Sequence, residues 1–318
     1  MNKFKKIGLT ALAGSLVATS AFAGELSVSG SASMDVNNVS GTNDPSTGKN
    51  FSMGNSVIIS GGGELDNGMT VSVSFELDQG AGAGADSTTD TGKPFDNHSV
   101  TISSDTLGTL TLSGHGGSSA QSAMDTTAAG DIWNNTLGIT GNPAAAAAGN
   151  DSLFYTLPSI MDGVAVTASM SPRGSTANQA TLTSYGVSYT GVEGLTLNYA
   201  KGDSGVVGSK VESTTMSASY AIGAFSAGYS VTDDNSANSP EIVGIQLGYT
   251  ISDDLSVTYG QETVSASNQT VDEEVEALGV SYTTGGMTLA ANTYEAKNGG
   301  FSSGAKTEKW ALSASFAF

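Results

Sequence analysis

The chain contains no cysteine, which excludes a disulfide framework and any thiolate metal site. Only two histidines occur, His98 and His115. A metal centre built on imidazole would need both of them to converge. No nucleophile elbow, phosphate-binding loop or metalloprotease pattern is present, so the sequence reads as non-enzymatic. Charged residues make up 13% of the 318 positions, and positive ones are the scarcer kind. With the N-terminal Lys3, Lys5 and Lys6 set aside, 8 Lys+Arg stand against 30 Asp+Glu, a net charge of about −22. Such a surface disfavours nucleic acid and anionic lipid as partners. No segment beyond residue 23 approaches the roughly 18 consecutive apolar residues that a membrane helix needs.

What is present begins at the two ends. Residues 1–23 start on lysines, continue through an apolar run from Ile7 to about Val17, and finish on Ala21-Phe22-Ala23. That is the pattern of a cleaved secretory signal, leaving 24–318 as one mature domain. The last nine residues place Trp310, Leu312, Ala314, Phe316 and Phe318 at every second position, with small or polar residues between. A strand with one aromatic and apolar face needs a cover, and lipid around a closed barrel supplies one.

The interior repeats this design. Units built as an alternating strand ending in tyrosine, a tight turn and a second alternating strand recur at 184–199, 216–229, 243–259 and 278–290. Variable polar connections separate the units, which is the grammar of a transmembrane barrel. Counting strands predicts sixteen, at 26–36, 55–65, 69–78, 98–104, 109–114, 151–157, 164–170, 182–190, 195–201, 213–221, 224–232, 241–250, 255–263, 275–284, 287–296 and 307–318. Short turns then alternate with longer loops, including the hairpin signal Asp66-Asn67-Gly68 and loops predicted at 37–54, 115–150 and 202–212. A period of two sends Met216, Ala218 and Tyr220 toward lipid, and Ser217 and Ser219 inward. Tyr189, Tyr220, Tyr249, Tyr282 and Phe316 are expected to form one interfacial belt, and Tyr199, Tyr229 and Tyr259 the other.

Four stretches, in this order and spacing, carry a resemblance: E-L-S-V-S-G-S-A-S-M-D-V (25–36), T-L-G-T-L-T-L-S-G (106–114), L-F-Y-T-L-P-S-I-M-D-G-V (153–164) and the Phe318 end. Together with the leader and the strand count, they make the chain resemble the Gram-negative general porins, especially those of alphaproteobacteria. The resemblance implies an all-β, 16-stranded antiparallel barrel in the outer membrane, surrounded by its lipid. It implies a homotrimer of water-filled channels, inserted by the barrel assembly machinery with Phe318 as the C-terminal signal. It also implies passive diffusion of ions and small hydrophilic solutes, and a third loop folded into the lumen.

That loop, about 115–150, carries Asp125 and Asp131 and no lysine or arginine. Its run Ala144–Ala148 fits either a helical turn or filler. Glu76 and Asp78 share the parity of Ser72 and Ser74 and should face the lumen. The only arginine is Arg173, and the mature lysines fall mostly in predicted loops. General porins oppose acidic loop residues with a basic wall cluster, and this chain departs from that pattern, so a preference for cations is expected. Trp133 is the one candidate for a substrate track, which a substrate-selective channel would need. A structural or adhesive surface barrel without an open pore is the remaining alternative. Asp272, Glu273, Glu274 and Glu276 form an acidic cluster of the kind that holds Ca²⁺, although a solvated face explains it as well. No cofactor is expected.

Overall fold

The computed structural model describes residues 26–41, 48–78, 95–124, 137, 150–172 and 180–318. The expected leader, Asp125, Asp131, Trp133, Arg173 and Ala144–Ala148 lie outside these residues. The strands are β1 (Ser27–Gly41), β2 (Gly48–Glu64), β3 (Thr70–Asp78), β4 (His98–Ser104), β5 (Gly108–His115), β6 (Ser152–Thr156), β7 (Val164–Ser171) and β8 (Leu182–Tyr189). They continue with β9 (Leu195–Val206), β10 (Ser209–Ile222), β11 (Phe225–Asp234), β12 (Glu241–Ser252), β13 (Leu255–Ser265), β14 (Glu273–Thr284), β15 (Met287–Lys297) and β16 (Lys306–Ala317). Each pairs with its sequence neighbour, and β1 pairs with β16, so the sheet closes into one barrel. All sixteen expected strands are found.

Closure is completed at the edge of the seam. Gly30 donates to the Phe318 carbonyl at 2.8 Å and Phe318 donates back to the Gly30 carbonyl at 3.0 Å. Gly30 makes room there, because a Cβ at that position would fall 2.6 Å from the Phe318 ring and 2.9 Å from the Ser56 backbone oxygen. In hydrocarbon no water satisfies an open edge, so this last ladder step pairs four backbone groups that would otherwise be orphaned.

The period of two sorts the wall. Met34 and Val36 on β1, Met216, Tyr220 and Ile222 on β10, Leu278, Val280 and Tyr282 on β14, and Trp310, Leu312 and Phe316 on β16 are all exposed. All share one parity, so the cross-strand pairs carry the apolar row around the barrel. A continuous apolar skin of this size belongs in lipid. The opposite parity carries Ser, Thr, Asn and Gly. The predicted Asp66-Asn67-Gly68 hairpin forms, with Gly68 at φ 79° and Leu65 accepting from Gly68 at 2.9 Å.

Three expectations are corrected. First, the predicted loops 37–54 and 202–212 are largely strand. β1 runs to Gly41 and β2 begins at Gly48, while β9 and β10 continue to a turn at Val207-Gly208. Above the lipid both faces of a strand meet water, so Asn, Ser and Lys occupy either parity and the alternating signal vanishes. Gly205 and Gly208 make the β9–β10 turn with φ of 100° and 81°. Second, the described lysines lie in strands rather than loops: Lys49 in β2, Lys201 in β9, Lys210 in β10, Lys297 in β15, and Lys306 and Lys309 in β16.

Third, the two tyrosine groups are not two belts. Tyr199 opposes Val187, two residues from Tyr189. Tyr229 opposes Ala218, two residues from Tyr220, and Tyr259 opposes Leu247, two residues from Tyr249. A two-residue step spans about 7 Å, far less than the ~25 Å apolar height of such barrels. The eight form one broad aromatic zone toward the tight-turn end. The outward face nearer the loop end carries charge instead, in the pairs Lys201–Glu212 (3.1 Å), Lys210–Asp203 (3.0 Å) and Lys306–Glu308 (2.7 Å).

Gly30→Val forces the Phe318 ring out of its place and should cost about 1–3 kcal/mol as an overpacking change. The folded band on an unboiled SDS gel should then convert to the unfolded band at a lower temperature. An unchanged conversion temperature would refute the seam contact.

Candidate functional site

The lumen side is identified by what covers it. After β5 the third connection turns onto the inward parity of β7, β8 and β10. The Ala120 amide donates to Ser169 Oγ at 2.9 Å, and the Gln121 amide donates to Ser184 Oγ at 3.3 Å. The Gln121 side chain accepts from Ser213 Oγ at 2.7 Å and donates to Thr215 Oγ1 at 3.1 Å. Ala120 and Gln121 are only 0% and 3% exposed, so this stretch is enclosed rather than laid on the outside. Gly186 of β8 makes the room: a Cβ there would fall 2.2 Å from the Met124 methyl and 3.2 Å from the Ala120 carbonyl oxygen. Further along the same connection, Leu137 is 1% exposed in a cluster with Val264, Val275 and Ala296, all on the inward parity of β13, β14 and β15. The described parts of the connection thus touch the inner wall at two separate places.

The rest of the inner wall is polar and mutually bonded. Ser188 Oγ donates to Asn198 Oδ1 at 2.6 Å and Asn198 Nδ2 donates to Ser217 Oγ at 3.0 Å. Thr215 and Thr232 join across β10 and β11 at 3.0 Å. Such rows present hydroxyl and amide groups along the inner wall.

The inward parity carries the carboxylates of Asp35, Glu64, Glu76, Asp78, Asp234, Glu262 and Glu273, as the register of β1–β3 and β11–β14 fixes. Glu76 is held by Ser56 Oγ at 2.6 Å and Asn97 Nδ2 at 2.5 Å. Asp78 opposes Ser56 one inward step away. Among the described residues, Lys309 is the single lysine or arginine on this parity. It opposes Val39 and Tyr294, with Nζ 5.6 Å from the Tyr294 ring centroid. Asp125, Asp131 and Arg173 lie outside the described residues.

The remaining sequence candidates disperse. The acidic cluster is split by the strand: Glu274 and Glu276 point outward to Lys297, at 4.0 and 3.6 Å, while Glu273 is buried on the inner side. Among the described residues no three metal-binding side chains gather. His98 and His115 are opposed across β4 and β5, but a register shift separates them from the next pair. The His98 ring lies over Gly114, whereas His115 Nδ1 is 3.9 Å from Asp96 Oδ1. Sequence reading missed Gln121, Gly186 and Leu137. The available signal was Ile242, Val264 and Val275, apolar residues at inward positions of an otherwise largely polar wall.

A family model described as Gram-negative porin matches residues 8–252 and 212–318. The chain belongs to the Gram-negative porin family. This family is one of non-enzymatic outer-membrane channels for solute diffusion, and the barrel accordingly resides in the outer membrane of a Gram-negative bacterium. Solved porins share the fold at low identity. The Salmonella typhi OmpF complex with daunomycin superposes with a TM-score of 0.72 at 11% identity, over 93% of this chain and 98% of that one. A mutant of Rh. blastica porin gives 0.68 at 14%, over 92% and 100%. An anion-selective porin from Comamonas acidovorans gives 0.66 at 14%, over 92% and 99%. No curated protein sequence matches the chain.

Gly186→Val should expel Met124 from its recess and loosen the start of the third connection. Limited proteolysis of the folded porin should then cut within 116–151 faster than in the parent, with the barrel's folded gel band retained. Gln121→Ala removes two side-chain hydrogen bonds in a buried setting and should cost about 1–3 kcal/mol, read as a lower thermal unfolding midpoint. Parent-like proteolysis and an unshifted midpoint would refute the anchoring.

Proposed function

We propose that this porin is a water-filled diffusion channel for ions and small hydrophilic solutes that prefers cations, working as a homotrimer. The observation that carries the preference is the sign of the inner wall among the described residues: Asp35, Glu64, Glu76 and Asp78, which are at least partly exposed, against Lys309, with Asp234, Glu262 and Glu273 buried on the same parity. Carboxylates lining a narrow aqueous path raise the local concentration of cations and lower that of anions. By sequence, the third connection adds Asp125 and Asp131 to the acidic excess, and the chain has a single arginine, Arg173. The same fold in the anion-selective Comamonas acidovorans porin argues that side chains, not architecture, set the sign. The trimer is supported by the family and by the trimer form of Vibrio cholerae OmpT, a protein of the same fold with a TM-score of 0.66 at 15% identity. The assembly machinery is the expected partner for the outward apolar row of β16 that ends on Phe318.

The test is the zero-current potential of the purified porin in a planar bilayer under a KCl gradient. A cation-selective sign is expected, and an anion-selective sign would overturn the preference. Glu76→Gln combined with Asp78→Asn removes two inward charges. A unit charge 4–8 Å from an ion in water is worth about 0.5–1 kcal/mol, or about two- to fivefold, so the loss of two should lower the ratio of potassium to chloride permeability by about fivefold or more.

A further inference from the structure

The inner wall carries an apolar patch where Ile242, Val264, Val275 and Ala296 present their side chains toward the lumen. A water-filled channel gives no reason for such a patch. Leu137 of the third connection supplies one, since it is 1% exposed within the cluster. Phe301, from the connection between β15 and β16, packs against the same cluster, together with Ala277 and Tyr294. Residues from two separate loops therefore share one dry contact on the inner wall.

The second loop is built to hold Phe301 there. Glu273 of β14 is fully buried, and its Oε1 accepts from the Gly300 amide at 2.6 Å and the Phe301 amide at 3.2 Å. Asn298 donates to the Ala305 carbonyl at 2.7 Å, its side chain donates to the Asp272 carbonyl at 2.9 Å, and its Oδ1 accepts from Gly304 at 3.1 Å. Asn298 and Phe301 both adopt left-handed backbone, at φ 56° and 52°. That conformation is rare for a bulky residue and persists only where the surroundings enforce it.

We infer that the 298–305 connection is a clamp for the third connection, with Phe301 and Glu273 as positioning residues that hold Leu137 against β13–β15. The carboxylate orients two amides, the amides fix the strained turn, and the turn sets the Phe301 ring on the Leu137 cluster. Substitution of a residue on one loop therefore changes the path set by the other. This inference rests on the diffusion-channel reading for its effect on ions, but not for the clamp itself.

The absence of cysteine allows a direct test. In the full-length folded porin, Leu137→Cys introduces the sole thiol, and its labelling rate by a water-soluble maleimide reports its exposure. Labelling should be slow in the parent background. Adding Phe301→Ala or Glu273→Ala should accelerate it by about tenfold or more, through local opening of the packed site. Phe301→Leu and Glu273→Gln, which keep the apolar bulk and the acceptor oxygen, should stay near the slow rate. Without the cysteine, F301A and L137A should each raise open-channel noise and shift the single-channel conductance, and the double variant should change little more than either single one. Labelling at 137 that ignores F301A and E273A, in protein shown to be folded, would overturn the clamp. If the parent porin passes no current, the channel reading fails, and the labelling result still decides the clamp.

Discussion

Everything in this molecule depends on the closure of its backbone hydrogen bonds. A sheet in hydrocarbon has no water to satisfy an edge, so the pairing of β1 with β16, completed by Gly30 and Phe318, is the condition for all sixteen strands to exist in a membrane. Closure gives the wall two faces with different solvents. Parity then does the sorting: residues such as Leu312 and Phe316 meet lipid, while Ser313 and Ser315 meet the interior. The porin needs no hydrophobic centre of the usual kind, and the enclosed apolar contacts it has are mostly those that pin a loop.

That division explains where the functional side chains sit. Inward carboxylates such as Asp35, Glu64, Glu76 and Asp78 are open to the path of a solute, whereas Asp234, Glu262 and Glu273 are buried against the wall. Lysines on the outward parity, such as Lys201, Lys297 and Lys306, pair with carboxylates at the loop end and are removed from that path. The net charge of the chain is therefore less informative than its partition between faces. Lys309 is the one described exception, and it is spent over the Tyr294 ring. The third connection has a polar anchorage at Gln121 and an apolar one at Leu137, both made by side chains on the wall.

The sequence was legible wherever lipid enforces alternation. β12, β13 and β14 were placed to within two residues at their ends, because rows such as Ile245, Leu247 and Tyr249 have a single explanation. Legibility failed above the membrane. Asn37, Asn38, Lys49 and Asn50 form strands in water on both sides, so no pattern marks them as strand. It failed again for the tyrosines, because Tyr199 and Tyr189 differ by one outward step that only the register reveals. The parity of Glu76 was readable. The burial of Glu273 was not, since an acid in a run of acids looks solvated until the partner loop is folded over it. Gly186 was equally silent: its role is to leave space for Met124, far away in sequence.

The central claim is that one parity of the wall faces lipid and the other an aqueous, acidic lumen. Single cysteines at consecutive positions from Leu255 to Tyr259 of β13, in a chain otherwise free of cysteine, test it most directly. With a small membrane-impermeant thiol reagent on the folded porin in lipid, positions 256 and 258 should react and positions 255, 257 and 259 should not. Equal reactivity at all five positions, or the opposite alternation, would contradict the account.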